Sequence, residues 1–388
     1  MRVSLDFLSG NAFMEYRQKR NRKTRDPGKP FMKKTSEAFL KRLLESVSPS
    51  GYEGPAANLF KEEALGFADE VKRDRHGNTI AHVTGTGELR VMFAGHCDEI
   101  GFLITHIDKK GYCWISPIGG WDPQIAQGQR VQILGKKGLV SGVIGKKPIH
   151  LMTPEDRKNV VQLKDMWVDI GAADRKEAEK LVAVGDPLVV AQGYERLCGE
   201  VAVARGMDNR IGAFVVLEAA RRVARAKPRP AASLYSVATV QEEIGLRGAI
   251  TSAFGVDAHV GIAVDVTFAG DHPGLGDAVR SLNDCELGKG PVLTRGPNTH
   301  PKMFERLAEL AKTCKIPLQI NAEGRGTGTD ANAMQLSRSG MATALLSIPN
   351  RYMHSPCELV DLRDVENCIE LMAQFVLSLE AEPDLTPF

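Results

Sequence analysis

The sequence has almost no surplus charge, no long apolar run and no paired-cysteine motif. Lys and Arg number 50 against 48 Asp and Glu, a net charge of +2. No global field therefore favours nucleic acid or a membrane surface. No apolar run is long enough to cross a bilayer. The seven cysteines (Cys97, Cys113, Cys198, Cys285, Cys314, Cys357, Cys368) are scattered and form no C-x-x-C pair. An odd, dispersed set fits a reduced, cytoplasmic compartment better than a disulfide framework. An H-E-x-x-H helix is also missing, which excludes a zinc site of that kind. "GRGTGTDAN" (324–332) lacks the G-K-[ST] ending of a Walker A loop and reads as a flexible glycine turn. There is no internal repeat and no low-complexity tract.

What is present is ordinary globular sequence: 388 residues, 43% hydrophobic and 25% charged. That length supports a sizeable core and two or three domains. Residues 1–34, including "YRQKRNRKTRDPGKPFMKK", are basic and lack apolar periodicity. They read as a disordered extension, or as sequence ahead of a start at Met32, and contain no apolar stretch suited to a secretory signal. From Ser36 helices and strands alternate. "SEAFLKRLLESV" (36–47) predicts a helix behind a Ser cap. "NTIAHVTG" (78–85) and "LRVMFAG" (89–95) predict strands. Residues 103–192 consist of short β-like runs with glycine turns, as in a small barrel. The alternation then resumes to the final helix, "RDVENCIELMAQFVLSL" (363–379). The expected fold class is α/β: a mainly parallel sheet with helices on both faces (35–102 and 193–388), split by a β-rich insertion (103–192).

In such sheets, sites form at the carboxyl ends of strands. Several predicted strands lead there into metal-ligand residue types. "TVQEEIGLRG" (239–248) places Glu242 and Glu243 side by side at the end of the apolar run "SLYSVATV". "VMFAG" leads to His96 and Asp98, "GIAVD" ends in Asp265, "ALLSIPNRYM" leads to His354, and Asp208 opens a helix. Each residue alone has an ordinary reading. The glutamates are solvated turn residues, Asp208 a helix N-cap, Asp265 a strand-end turn residue and His354 a loop histidine. Jointly, two His, three Asp and two Glu at strand ends would be costly to bury unless they bind cations. Such a donor set suits zinc, cobalt or manganese.

Six segments in order, "GHCDEIGF", "RGMDNRIGA", "QEEIGLRGA", "AVDVT", "GTGTDANAMQ" and "RYMHSPCE", make the chain resemble the tetrahedral (TET) aminopeptidases. These belong with the glutamyl aminopeptidase and cellulase M proteins among dinuclear metallopeptidases, and the resemblance spans roughly residues 36–380. It implies two divalent metal ions, zinc or cobalt. His96, Asp208 and Asp265 would hold one, and Asp208, Glu243 and His354 the other, with Asp208 as the bridge. Glu242 would be the general base and Asp98 the carboxylate behind His96. The Asp208–Asn209 peptide would be cis, and "GRGTGTDAN" would line the substrate cleft. The insertion would serve dimerisation, with dimers assembling into a tetrahedral dodecamer that acts on peptide substrates, with no nucleic-acid or membrane partner. The competing expectations are another dinuclear amide hydrolase such as a deacylase, a glycosidase using two carboxylates, and an inactive peptide-binding scaffold.

Overall fold

The computed structural model describes residues 31–277, 284–380 and 383–387. Most of the basic segment 1–34 lies outside the described residues. Its last positions belong to the fold: Met32 is buried in the main core beside Phe39 and Leu40.

Helix α1 (Lys34–Glu45) buries Phe39, Leu40, Leu43 and Leu44, the i, i+1, i+4, i+5 stripe of an amphipathic helix. Ser36 does not cap it. The helix starts two residues earlier, and the Ser36 hydroxyl donates to Glu218 Oε2 at 3.2 Å. Next come α2 (Gly54–Leu65), β1 (Glu70–Arg73), β2 (Thr79–Val83) and β3 (Arg90–His96). A closed six-stranded barrel is then built from β4 (Gly101–Ile107), β5 (Cys113–Ile118), β6 (Arg130–Gly135), β7 (Gly138–Gly145), β8 (Trp167–Asp169) and β9 (Pro187–Val190). It includes the short helices α3 (Pro123–Ala126) and α4 (Arg175–Leu181). The barrel has its own core, with Phe102, Ile104, Val131, Ile133, Val168 and Leu188 fully buried.

After the barrel come β10 (Glu195–Arg196), β11 (Val201–Ala204), α5 (Met207–Ala224), β12 (Ser233–Thr239), α6 (Arg247–Val256), β13 (Val260–Phe268), β14 (Val292–Arg295), α7 (Pro301–Cys314), β15 (Gln319–Ala322), α8 (Asp330–Met334), β16 (Ala342–Asn350), β17 (Glu358–Asp361) and α9 (Leu362–Leu377). The main sheet has the order β1-β2-β12-β3-β13-β16-β14-β15. Its centre, β12-β3-β13-β16, is parallel, as expected. The sheet as a whole is mixed: β2 runs antiparallel to both β1 and β12, and β14 runs antiparallel to β16. The β1–β2 pair is joined by a short turn, which permits only antiparallel pairing. A separate three-stranded sheet, β10-β11-β17, stands beside it.

Alternation along β3 sorts its side chains onto two faces. Val91 and Phe93 join the cluster formed with α1, α2, α5, α7 and α9. Met92 and Ala94 join the opposite cluster, with Ala249 and Ala253 of α6 and Ala331 and Met334 of α8. Each fully buried large side chain here contributes about 1.5–3 kcal/mol. One close approach sets the site. A Cβ at Gly95 would lie 2.4 Å from the Gly212 carbonyl carbon and 2.6 Å from Ala213 N. Strand β3 and helix α5 therefore cross backbone to backbone just before His96.

Candidate metal centre and active site

The candidate residues reach the carboxyl ends of the central parallel strands by different routes. His96 is the last residue of β3, and Asp98 follows two positions on. Asp265 lies within β13, three residues before its end, so it is a strand residue and not the turn residue expected. Strand β13 pairs with β3 only as far as Ala263–Ala94. Beyond that point the two strands part, and Asp265 lies in the stretch past their last pair. Glu242 and Glu243 lie in the loop between β12 and α6, and His354 in the turn between β16 and β17.

Asp208 is not a helix cap. Its backbone, with that of Asn209, is non-helical, and the peptide joining them is cis. The capping bond comes from Asn209, whose Oδ1 accepts the Gly212 N–H at 3.0 Å. That leaves the Asp208 carboxylate to point into the site. Two site loops also hold non-glycine residues in the left-handed region, Gln241 (φ 56) and His354 (φ 58). Each costs roughly 1–2 kcal/mol, which the surrounding contacts must offset.

All seven residues form one cluster. His96 Nε2 lies 3.3 Å from Asp208 Oδ1, 3.7 Å from Glu242 Oε2 and 3.8 Å from Asp265 Oδ1. His354 Nε2 lies 3.3 Å from Asp208 Oδ2 and 3.5 Å from Glu243 Oε2. The two oxygens of Asp208 thus face different histidines. Ligand atoms of His96, Asp208 and Asp265 fall within 4.8 Å of one another, as do those of Asp208, Glu243 and His354, and of His96, Glu242 and Glu243. Asp98 stands behind His96, with its carbonyl oxygen 3.2 Å and its Oδ1 3.5 Å from Nδ1. Its carboxylate also accepts the N–H groups of Glu242 and Glu243, both at 3.2 Å, and the Ser50 hydroxyl. One buried residue therefore fixes both the imidazole and the loop that carries the paired glutamates.

The electrostatics follow from this burial. Burial pushes Glu243 and Asp265 well above the ordinary carboxylate range, and the charge of Asp208 adds to the rise in both. Burial likewise raises Glu242, and Asp265, Asp330 and Asp208 push it further. Asp208 behaves oppositely. Burial would raise it, but hydrogen bonds from His354 and His96 hold it below the ordinary range. Burial opposes protonation of His96, yet Glu242, Asp208 and Asp98 raise it well above the usual imidazole value. Protein groups alone leave this cluster carboxylate-rich. Glu243 Oε1 is buried without a hydrogen-bond partner. An orphaned buried carboxylate oxygen among clustered imidazole and carboxylate donors fits a divalent cation.

Three supports escaped the sequence reading. Glu358, 2% exposed, accepts the N–H of Asp208 at 2.9 Å and of His354 at 2.8 Å. Glu99 is bound by Arg205 and Arg210, which also donate to the carbonyls of Leu44, Glu45, Ser46, Ser48 and Cys97. Asp330 of "GTGTDAN" is buried, accepts from Thr239 Oγ1, and leaves Oδ1 without a partner. Each was visible as a charge inside a quoted segment, but spacing along the chain carried no sign of its partner.

Parallel strand ends carrying clustered imidazoles and carboxylates define an α/β protein with a site that could hold metal ions. The chain belongs to the M42 glutamyl aminopeptidase family, whose model matches residues 77–371. It is therefore a hydrolase acting on peptide bonds, in a family of metal-dependent aminopeptidases. It is 43% identical over 352 residues to a lysyl aminopeptidase of Pyrococcus furiosus, covering 90% of this chain and 99% of that protein. The TET aminopeptidase of Thaumarchaeota archaeon SCGC AB-539-E09 superposes with a TM-score of 0.84 at 38% identity, covering 89% of this chain and 98% of that one. Pyrococcus horikoshii TET1 peptidase, described as assembling into a tetrahedron or a large octahedral shell, gives 0.78 at 32% identity, covering 89% and 100%. Among the described residues, no helix is long and apolar enough to cross a membrane.

Proposed function

We propose that the chain is a two-metal aminopeptidase that removes N-terminal residues from short peptides. His96, Asp208 and Asp265 hold one ion, and Asp208, Glu243 and His354 the other. The observation that carries this reading is the shared Asp208, 3.3 Å from each histidine through separate oxygens. Bound zinc or cobalt supplies Lewis-acid charge and a water activated for attack at neutral pH. Glu242, beside the cluster and not needed by either triad, takes the proton of the attacking water and returns it to the leaving amine. Asp98 fixes the His96 ring. In the family that the chain resembles, one metal region receives the free α-amine of the substrate, and that contact here would restrict attack to chain ends.

The barrel and the region built on the eight-stranded sheet would then divide the work. Residues 35–102 and 193–388 form the catalytic part, and the barrel mediates dimerisation toward the dodecamer that relatives form. A cytoplasmic setting agrees with Cys97, Cys113, Cys285 and Cys368 being buried outside any disulfide. The test is a panel of aminoacyl chromogenic substrates on metal-stripped protein, with each metal added back. Activity should return with zinc or cobalt. Glu242→Gln should retain both ions and lose about 10²–10⁴-fold in turnover. Near-wild-type turnover in that variant would refute the general-base assignment.

A further inference from the structure

We propose that the Gly119–Gly120 turn of the barrel is a positioning element of the metal centre and sets the angle of the His354 ring. This rests on the metal-binding reading above. The turn follows β5 and reaches across to the site. A Cβ placed on Gly120 would lie 3.3 Å from His354 Nδ1 and 3.5 Å from its Cε1, so any side chain there would press on that edge of the imidazole. The other nitrogen, Nε2, faces Asp208 and Glu243. Close packing along the Nδ1 edge holds the ring so that Nε2 stays turned toward Asp208 and Glu243, where a cation would bind.

Gly119 makes the same approach possible on the Glu243 side. Its φ is +75, and a Cβ there would lie 2.7 Å from Ile100 Cγ2 and 3.5 Å from Glu243 Cβ. The next residue ties the turn to the barrel. The Trp121 ring stacks on Phe102, centroids 4.5 Å apart at 29°. Its buried indole N–H has no partner, and the residue lines a small cavity together with Asp208, Glu243 and Glu358. A side chain added at either of these consecutive barrel glycines would thus come within 3.5 Å of a ligand of one proposed ion, and neither position accepts one without a shift of a neighbour.

Gly120 lies outside the left-handed region, so alanine there tests the added side chain alone. Zinc binding to stripped protein is measured calorimetrically for wild type, Gly120→Ala, Gly120→Val and His354→Ala, with the denaturation midpoint of each metal-free protein recorded. Gly120→Ala should weaken one of two zinc sites about tenfold and leave the other unchanged. Gly120→Val should weaken that site further, with the metal-free midpoint of Gly120→Ala unaltered. Wild-type affinity in both glycine variants, while His354→Ala loses one ion, would overturn this inference alone. So would a fall in metal-free stability of Gly120→Ala with both sites weakened equally. Retention of two ions by His354→Ala would overturn the site reading as well.

Discussion

Glu358 is the residue whose removal the geometry makes most costly. Its two oxygens accept the backbone N–H groups of Asp208 and His354, and the side chain is almost wholly buried. Glu358→Ala leaves two donors without their partner, one buried and one part-buried. Each costs about 1–3 kcal/mol, so the metal-free protein should lose roughly 2–6 kcal/mol by that count. Glu358→Gln keeps one acceptor and sets an NH₂ against the other N–H, and should lose about half as much. Both bonds end on residues that carry proposed ligands, so zinc affinity should fall together with stability. The assay is a denaturant titration of metal-stripped protein, paired with zinc calorimetry. An unchanged midpoint in Glu358→Ala would refute the argument. A lower midpoint with wild-type zinc affinity would show that Glu358 supports the fold but not the ligands.

Gly95→Ala should abolish folding or cost more than about 3 kcal/mol, the upper range for overpacking, because its Cβ would meet α5 backbone at 2.4 Å; a native circular dichroism melt would contradict this. Asp364 is remote from the metal centre, and burial raises its carboxyl from 3.8 to about 7 despite N–H groups donated by Gly288 and Gly290. A carboxyl raised in the folded state binds its proton more tightly there. Its contribution is full below the unfolded value and disappears as pH climbs from about 4 through 7. Asp364→Asn should flatten that fall, and a denaturation series across the window that keeps the wild-type slope would reject it. Peptides with blocked N-termini should be turned over far more slowly than free ones; preference for blocked substrates would favour a deacylase.

Helix–strand alternation was legible because the central strands are short apolar runs between amphipathic helices, and the barrel because its runs are short and punctuated by glycine. The antiparallel edges were not, since β1 (Glu70–Arg73) and β14 (Val292–Arg295) are four-residue strands too short to show a period. The cluster was legible only jointly. Asp208 alone looks like a cap, and what displaces that reading is Asn209 taking over the capping bond to Gly212. Asp265 looked like a strand end because β13 continues through Val266, Thr267 and Phe268 without a change in apolar pattern that spacing could register. Glu358, Arg205 and Arg210 stayed hidden for a simpler reason: their partners lie far along the chain, and only the fold sets them side by side.

The most direct test is anomalous diffraction from crystals of the protein loaded with zinc or cobalt. Two peaks per chain are expected, one enclosed by His96, Asp208 and Asp265 and the other by Asp208, Glu243 and His354. A single peak, or peaks away from Asp208, would contradict the two-metal account.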